Sequence, residues 1–231
     1  AAEDAHGRNI AIGYYALGAQ DAGADAYNIA IGHSAGANIS TGVRNTLVGG
    51  LAGDALTTGS YNTAVGYSAL STEDGDGRTT AIGYNALAAQ NAGSDAYNVA
   101  VGFQAGDSVS TGTLNTLIGG DAGGALTTGN RNVAVGYEAL LTEDTGARNT
   151  AVGEGSLRLL NYDGNGYNVA VGYDAGTTLS TGVNNTLIGS VAGDALTTGT
   201  NNVAVGYGAL GSEDTGGQNV AIAVNALNTA N

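Results

Sequence analysis

The residues best suited to chemistry in this 231-residue chain are regularly spaced carboxylates. Adjacent glutamate and aspartate residues recur at Glu3-Asp4, Glu73-Asp74, Glu143-Asp144 and Glu213-Asp214. Carboxylate pairs that cleave glycosides stand about 5–10 Å apart. The repeat described below separates successive pairs by four strand spacings, or about 19 Å. We therefore predict a solvated acidic face, with loose binding of divalent cations as the alternative, and no catalytic centre.

A second candidate for chemistry is the loop at 161–166, which reads NYDGNG. Its possible metal ligands are Asp163 and Asn165, but the loop lacks the distant bidentate Glu and the remaining ligands of a calcium loop. The chain has two histidines, His6 and His33, and no cysteine, which excludes a zinc cluster or a histidine-based triad. We predict no catalytic residue and no cofactor beyond a loosely bound cation such as calcium.

The other strong patterns come from an internal repeat. A unit reading N-x-A-V-G-Y-x-A-L or N-x-L-I-G-x-x-A-G starts at residues 9, 28, 45, 62, 79, 98, 115, 132, 149, 168, 185, 202 and 219. Its spacing of 19, 17, 17 and 17 residues makes blocks of 70 residues: 9–78, 79–148 and 149–218, with partial coils 1–8 and 219–231. Positions within a coil are numbered below from the first residue of this unit.

This repeat predicts an all-β fold, a parallel β-solenoid of about 13 coils that spans 1–231 as one domain. Mid-unit glycines and β-branched neighbours disfavour a helix. A period of 17 residues is also too short for a helix pair. Each coil should supply a strand at its start, a turn, a second short strand and a Thr-Gly corner.

Position 1 predicts a structural ladder of hydrogen bonds. A buried asparagine can bond backbone groups and its own copy one coil away. Thr79 is the single exception and should weaken the ladder locally. The predicted ladder residues are Asn9, Asn28, Asn45, Asn62, Asn98, Asn115, Asn132, Asn149, Asn168, Asn185, Asn202 and Asn219.

The position before the asparagine predicts a surface stripe. Arginine alternates with tyrosine there in the first six coils, at a spacing suited to cation–π contacts. The stripe either relieves repulsion between like charges or faces a ligand. Its members are Arg8, Tyr27, Arg44, Tyr61, Arg78 and Tyr97.

Position 4 is Val or Ile in every coil, and we interpret it as the core stripe. Position 3 is always Ala or Leu, and successive residues of a strand point to opposite faces. Both faces therefore carry apolar side chains. This predicts that the second face meets the opposite wall of the coil or another subunit.

Two more columns leave other functions open. Threonine precedes the corner glycine in most coils, from Thr41 to Thr215, and a regular threonine row could match ice. Position 6 is aromatic in seven coils, for example at Tyr14 and Phe103. Such a row covers a core edge or binds sugars.

Charge excludes several partners. The formal net charge is −14, which would repel nucleic acid and anionic lipid. No segment has eighteen consecutive apolar residues, so we expect no membrane insertion. The absence of cysteine excludes a disulfide framework.

Three phrases carry a family resemblance: NTAVGYSAL at 62–70, NTAVGEGSL at 149–157 and NVAVGYEALLTEDTGARNTAVG at 132–153. They resemble the head repeats of trimeric autotransporter adhesins and similar repeats of phage tail fibres and other surface fibres. The resemblance covers nearly the whole chain. It implies a left-handed β-roll, a homotrimer, binding to a host surface or glycan, and an extracellular place on a cell surface or virion fibre. The repeats here are longer than those of adhesin heads, and no neck or coiled-coil stalk is present.

Neither end of the repeat array shows an amphipathic cap, and an open strand edge invites addition. We therefore predict a non-enzymatic structural or adhesive fibre module. It would associate laterally as a trimer or head-to-tail as a filament, or be cut from a longer fibre. An ice-binding solenoid and a carbohydrate-binding fibre are the alternatives.

Overall fold

The computed structural model describes residues 7–22, 25–75, 77–212 and 214–228. These residues contain thirteen parallel strands and no helix, which confirms the predicted β-solenoid. In this part of the chain there is accordingly no helix of the length and hydropathy needed to cross a membrane. The strands are β1 Ile10–Ile12, β2 Ile29–Ile31, β3 Thr46–Val48, β4 Thr63–Val65, β5 Thr80–Ile82, β6 Val99–Val101, β7 Thr116–Ile118, β8 Val133–Val135, β9 Thr150–Val152, β10 Val169–Val171, β11 Thr186–Ile188, β12 Val203–Val205 and β13 Val220–Ile222.

The chain forms two compact units, Ala1–Leu114 and Asn115–Asn231. The first holds β1 to β6 and the second holds β7 to β13. Within each unit every strand pairs in parallel with the next one along the chain, at the offset of the repeat. Ile10 pairs with Ile29 in a 19-residue coil, and Thr186 pairs with Val203 in a 17-residue coil.

Each coil has one strand of three residues, and the second short strand that we expected is missing from the described residues. Turns replace it. Arg44, directly before the third coil, and Leu51 and Gly53 within it take left-handed φ values of 59°, 59° and 55°. Hydrogen bonds between residues three positions apart, such as that from the Leu56 N–H to the Gly53 carbonyl at 3.2 Å, close these turns. A succession of tight turns therefore brings the chain back under its own strand without a second β segment.

The core lies on the position 3 side of the strands, so the assignment of position 4 to the core was wrong. Leu47 at position 3, Ala52 at position 8 and Leu56 at position 12 are fully buried. At position 4, by contrast, Ile31 is 37% exposed and Ile188 is 40% exposed. The reason is strand alternation: position 3 shares its face with the buried asparagine at position 1, and positions 2 and 4 point outward.

The packing of leucine against glycine explains the 70-residue period. Position 9 reads Leu, Gly, Gly, Leu through a block, and the third coil alone has leucine at position 3. A methyl group on Gly36 would lie 2.7 Å from Cδ1 of Leu47, and one on Gly53 would lie 2.9 Å from Cδ2 of Leu47. One leucine thus fills the space left by two glycines. In the first and fourth coils, where position 3 is alanine, leucine at position 9 fills the corresponding part of the core. The packing pattern therefore repeats after four coils.

Candidate functional site

The asparagine ladder runs along the inside of the coils, directly before the strands. In its most complete form Nδ2 of Asn185 donates to Oδ1 of Asn168 at 3.1 Å and to the carbonyl of Gly199 at 2.9 Å. Oδ1 of Asn185 accepts from the backbone N–H and from Nδ2 of Asn202, at 3.0 and 3.1 Å. One fully buried side chain therefore ties three successive coils to a corner carbonyl.

The bond from a backbone N–H to the Oδ1 of the preceding rung recurs in both units. In the first unit it joins Asn28 to Asn9, Asn45 to Asn28, Asn62 to Asn45 and Thr79 to Asn62. In the second it joins Asn132 to Asn115, Asn149 to Asn132, Asn168 to Asn149, Asn185 to Asn168, Asn202 to Asn185 and Asn219 to Asn202. This geometry gives position 1 a structural task throughout.

A glutamine side chain bridges the ladder where Thr79 replaces asparagine. Nε2 of Gln90 donates to Oγ1 of Thr79 at 3.0 Å, and Oε1 of Gln90 accepts from Nδ2 of Asn98 at 2.8 Å. The same Nε2 donates to Oε2 of Glu73 at 3.1 Å. Gln90 extends from position 12 across the interior of the coil and thereby links Thr79 to Asn98, and the local weakening at Thr79 stays a prediction.

The arginine–tyrosine stripe has the expected stacking contacts. The guanidinium of Arg44 lies 5.3 Å from the ring centre of Tyr61, and that of Arg78 lies 5.5 Å from Tyr61 and 5.7 Å from Tyr97. Arg78 also forms an ion pair with Asp95. The partners of Arg78 are thus residues of the adjacent coils. This fits a surface ladder whose side chains pair within the protein better than a stripe that binds a ligand.

The first members of the stripe repeat this arrangement. The guanidinium of Arg8 lies 5.6 Å from the ring of Tyr27, donates to its hydroxyl at 2.6 Å and pairs with Asp25 at 3.2 Å. Arg148 contacts Tyr167 in the same way, at 5.5 Å from the ring. All these side chains are solvent-exposed, so each contact stabilises the fold only slightly.

The two glutamate–aspartate pairs that the structure describes in full do not form the expected solvated face, because Glu73 and Glu143 are buried. Glu73 and Glu143 occupy position 12, the core position that Leu126 fills one coil before Glu143. The aspartates next to them, Asp74 and Asp144, are exposed and half-buried. One carboxyl of each pair therefore points inward and the other outward. Glu3, Asp4 and Glu213 lie outside the described residues.

Burial changes the acidity of Glu143. Its Oε1 accepts from the Gly146 N–H at 2.8 Å, and its Oε2 accepts from the Tyr162 N–H at 3.3 Å. These two bonds favour the charged form, but loss of solvent outweighs them and raises the pKa of Glu143 to about 7. The carboxyl thus titrates near neutral pH inside the core.

The loop with the candidate metal ligands is held by protein contacts. Oδ1 of Asp163 accepts from the hydroxyl of Thr145 at 2.6 Å, and Asn165 pairs with Ala147 of the preceding coil in an isolated parallel bridge. Within the described ranges no group of three or more His, Cys, Asp or Glu side chains could hold a metal ion. The described contacts give this loop the task of anchoring the longer coil.

The aromatic column at position 6 stacks on itself. The ring centres of Tyr67 and Tyr84 are 5.9 Å apart, and those of Tyr84 and Phe103 are 5.3 Å apart, with interplanar angles of 13° and 10°. His33 stacks on Tyr14 in the same way, at 5.4 Å. Rings in this arrangement cover each other's faces and leave their edges to solvent. In the first unit these rings therefore cover some of the faces that would stack on a sugar, whereas Tyr137, Tyr173 and Tyr207 in the second unit have no aromatic residue at position 6 of the adjacent coils.

The threonine column lies at a corner of the coil, outside the strands. Thr41, Thr111 and Thr181 are exposed, but they sit in bends rather than on a flat β face. The neighbouring position 13 carries threonine in only one coil of each block, at Thr57, Thr127 and Thr197, so these corners do not build a continuous two-dimensional array of threonine.

A further regular surface is the outward strand face, which we define as positions 2 and 4 of β1 to β6 in the first unit and of β7 to β13 in the second. All of these residues are Ile, Val or Thr, and none is charged, although the chain carries a net charge of −14. Position 4 side chains such as Val171, at 37% exposed, and Ile188, at 40%, remain open to solvent. Each unit thus presents a flat, uncharged, β-branched surface.

Sequence reasoning predicted a second apolar face but placed the core on the wrong side of the strand. The signal that could have found the outward strand face was strand parity. A buried asparagine at position 1 requires position 3 to be buried as well, which leaves positions 2 and 4 outside.

The geometry therefore defines a repeat β-solenoid that has an internal amide ladder and an uncharged outward face. A search against protein-family models finds no match, and searches among curated proteins and solved structures find none either.

Proposed function

We propose that this chain is a non-enzymatic structural or adhesive module of an extracellular fibre, and that it associates laterally with other copies through its outward strand face. The observation that supports this best is the composition of that face. Isoleucine, valine and threonine fill two adjacent columns without a charge, in a chain with 20 acidic and only 6 basic residues.

The physical argument is the cost of leaving such a face in water. Contiguous apolar patches of several hundred Å² on soluble proteins usually mark contact surfaces. A second copy has the same coil spacing of about 4.8 Å, so side chains of two copies can interdigitate along the whole face of a unit. The number of copies follows only from the family resemblance, which implies three. The extracellular location has the same support.

Catalysis has little support in the described residues. Each unit has one glutamate among its described buried residues, Glu73 in the first and Glu143 in the second, and each is followed by an aspartate that is less buried. His33 stacks on Tyr14, and His6 lies outside the described residues. Self-stacking of the aromatic rings in the first unit leaves fewer ring faces for a sugar there, which weakens the alternative of a carbohydrate-binding fibre for that unit.

Ice binding remains a second candidate, because the outward strand face is a rigid two-column array. Its side chains repeat at about 4.8 Å between coils and about 6.7 Å along a strand. This regularity moves the ice hypothesis from the corner threonines to the outward strand face, where Thr46, Thr63 and Thr80 occupy successive coils.

Sedimentation equilibrium of matched variants tests the proposal. Val171→Lys with Ile188→Lys places two charges on the outward strand face, and we expect this variant to be monomeric when the unaltered chain is oligomeric. Thr181→Lys with Thr198→Lys adds the same charge to the exposed corners of the same two coils and should leave the oligomer intact.

A chain that stays monomeric up to the highest soluble concentration would contradict lateral association. Thermal hysteresis measured on the same samples then decides the alternative. Hysteresis in the unaltered monomer, lost in Val171→Lys with Ile188→Lys and kept in the corner variant, would assign the face to ice.

A further inference from the structure

At position 5 the backbones of successive coils leave no room for a side chain. A methyl group built on Gly172 would lie 2.5 Å from the carbonyl of Gly189, and one on Gly189 would lie 2.5 Å from the carbonyl of Gly206. Across the interior coils of both units this closest approach is 2.0–2.6 Å. No side chain fits at such a distance, so position 5 must be glycine wherever another coil follows.

The direction of this contact is the same between all successive coils within each unit. The methyl group would always point toward the following coil, from Gly153 to Gly172 and from Gly206 to Ala223, and its nearest atoms are never in the preceding one. A residue larger than glycine at position 5 therefore obstructs only the stacking of the following coil, on the C-terminal side.

Ala223 occupies position 5 in the coil of β13. It keeps the glycine conformation, with a φ of 147° against 132° at Gly206 and 134° at Gly189. Its methyl group therefore projects to the side on which a further coil would stack, and the residue is exposed there.

The edge at β13 would otherwise be an attractive template. Ile222 and Val224 are 65% and 68% exposed, and Leu227 is 46% exposed although the other leucines at position 9 are buried. Unpaired strand edges with apolar side chains promote addition of further strands. The methyl group of Ala223 thus obstructs pairing of a further strand with β13, which the exposed apolar side chains would otherwise favour.

We propose that Ala223 is a stop for the stack: it prevents any in-register parallel coil, from this chain or from a second copy, from pairing with β13. The inference rests on backbone geometry and does not depend on lateral association. It removes support from the head-to-tail filament, because continuation of the solenoid at this edge requires glycine where the chain has alanine.

Three fusion proteins test the proposal. Joining residues 1–231 directly to residues 22–231 keeps the repeat in register and places Ala223 inside a complete coil, since residues 219–231 take the place of residues 9–21. The same fusion with Ala223→Gly in that coil differs by one methyl group. A third, residues 1–218 joined to 9–231, has Gly13 at the corresponding position.

Limited proteolysis of the three fusions gives the decision. We expect the fusion with Ala223 to be cut at the junction at least about tenfold faster than both glycine fusions, because cleavage follows the population of opened chain. Ala223→Gly in the unfused chain measures the relief of backbone strain alone, and the effect in the fusion should exceed it. Equal resistance of all three fusions would overturn the proposal, and so would equal cleavage of the alanine and Ala223→Gly fusions.

Discussion

At the scale of single residues, an asparagine in the interior of the ladder, such as Asn185, forms hydrogen bonds with the asparagines of both adjacent coils and with a corner carbonyl. Truncation of Asn185 to alanine leaves the Gly199 carbonyl and the Asn202 N–H without their partners inside the core. Each buried group that loses its partner costs about 1–3 kcal/mol. We therefore expect Asn185→Ala to lower the free energy of unfolding by about 2–6 kcal/mol, measured by guanidinium chloride denaturation followed by circular dichroism.

The last rung provides the matched control. Asn219 donates to Oδ1 of Asn202 and is only half-buried. Asn219→Ala should therefore cost much less than Asn185→Ala. Equal losses at the two positions would mean that the ladder bonds do not determine the stability of the coil.

The buried carboxyl of Glu143 predicts that stability depends on pH. Its folded pKa of about 7 lies above the ordinary value of 4.5, so the folded chain holds a proton that the unfolded chain releases. Its stabilising contribution is complete below about pH 4.5 and is lost as the pH rises through 7. The difference corresponds to at most about 3–4 kcal/mol, at about 1.4 kcal/mol for each pKa unit.

Glu143→Gln should flatten this dependence, since glutamine already occupies the same core position at Gln20 and Gln90. We expect the variant and the unaltered chain to have similar melting temperatures at pH 4.5 and the variant to melt higher at pH 8.5. Thermal unfolding at both pH values measures this. Glu154→Gln, which alters an exposed side chain, should leave the pH dependence as it was.

At the scale of the coil, the third coil of a block has leucine at position 3 and glycine at position 9, whereas the fourth coil has alanine at position 3 and leucine at position 9. Leu47→Ala opens a cavity and should cost about 2–5 kcal/mol, and Gly53→Leu overfills the same space and should cost about 1–3 kcal/mol. The two changes together reproduce the pattern of the next coil, where Leu70 takes a φ of 55° opposite Ala64. The double variant should therefore be more stable than the sum of the single losses predicts, and additive losses in denaturant would contradict this packing account.

The period of the coil could be predicted from sequence, but its cross-section could not. Asparagine spacing sets the strand register, which the pairing of Thr46 with Thr63 reproduces. The left-handed turns at residues such as Arg44 and Leu51 give no signal, because glycine is absent where the backbone needs positive φ. Nor did the Glu-Asp pairs reveal that Glu143 points inward, since a charged residue is normally assigned to solvent.

At the scale of the whole molecule, the net charge and the outward strand face have opposite effects on association between copies. The net charge of −14 makes copies of the chain repel one another, whereas the outward strand face favours contact and has no charge of its own. Charged residues lie elsewhere, for example in the stripe with Arg44 and Arg78. Association through the outward strand face and association through the stripe therefore differ in their response to salt.

Salt should strengthen lateral association. Raising sodium chloride from about 0.01 M to about 1 M shortens the Debye length from about 30 Å to about 3 Å, which screens the repulsion between copies and leaves apolar contact intact. We expect the association constant from sedimentation equilibrium to rise over this range, while Val171→Lys with Ile188→Lys stays monomeric throughout. Ion pairs between the arginine stripe of one copy and the acidic residues of another would produce the opposite trend. An association constant that falls with salt would therefore place the contact on the stripe and leave the outward strand face without a partner.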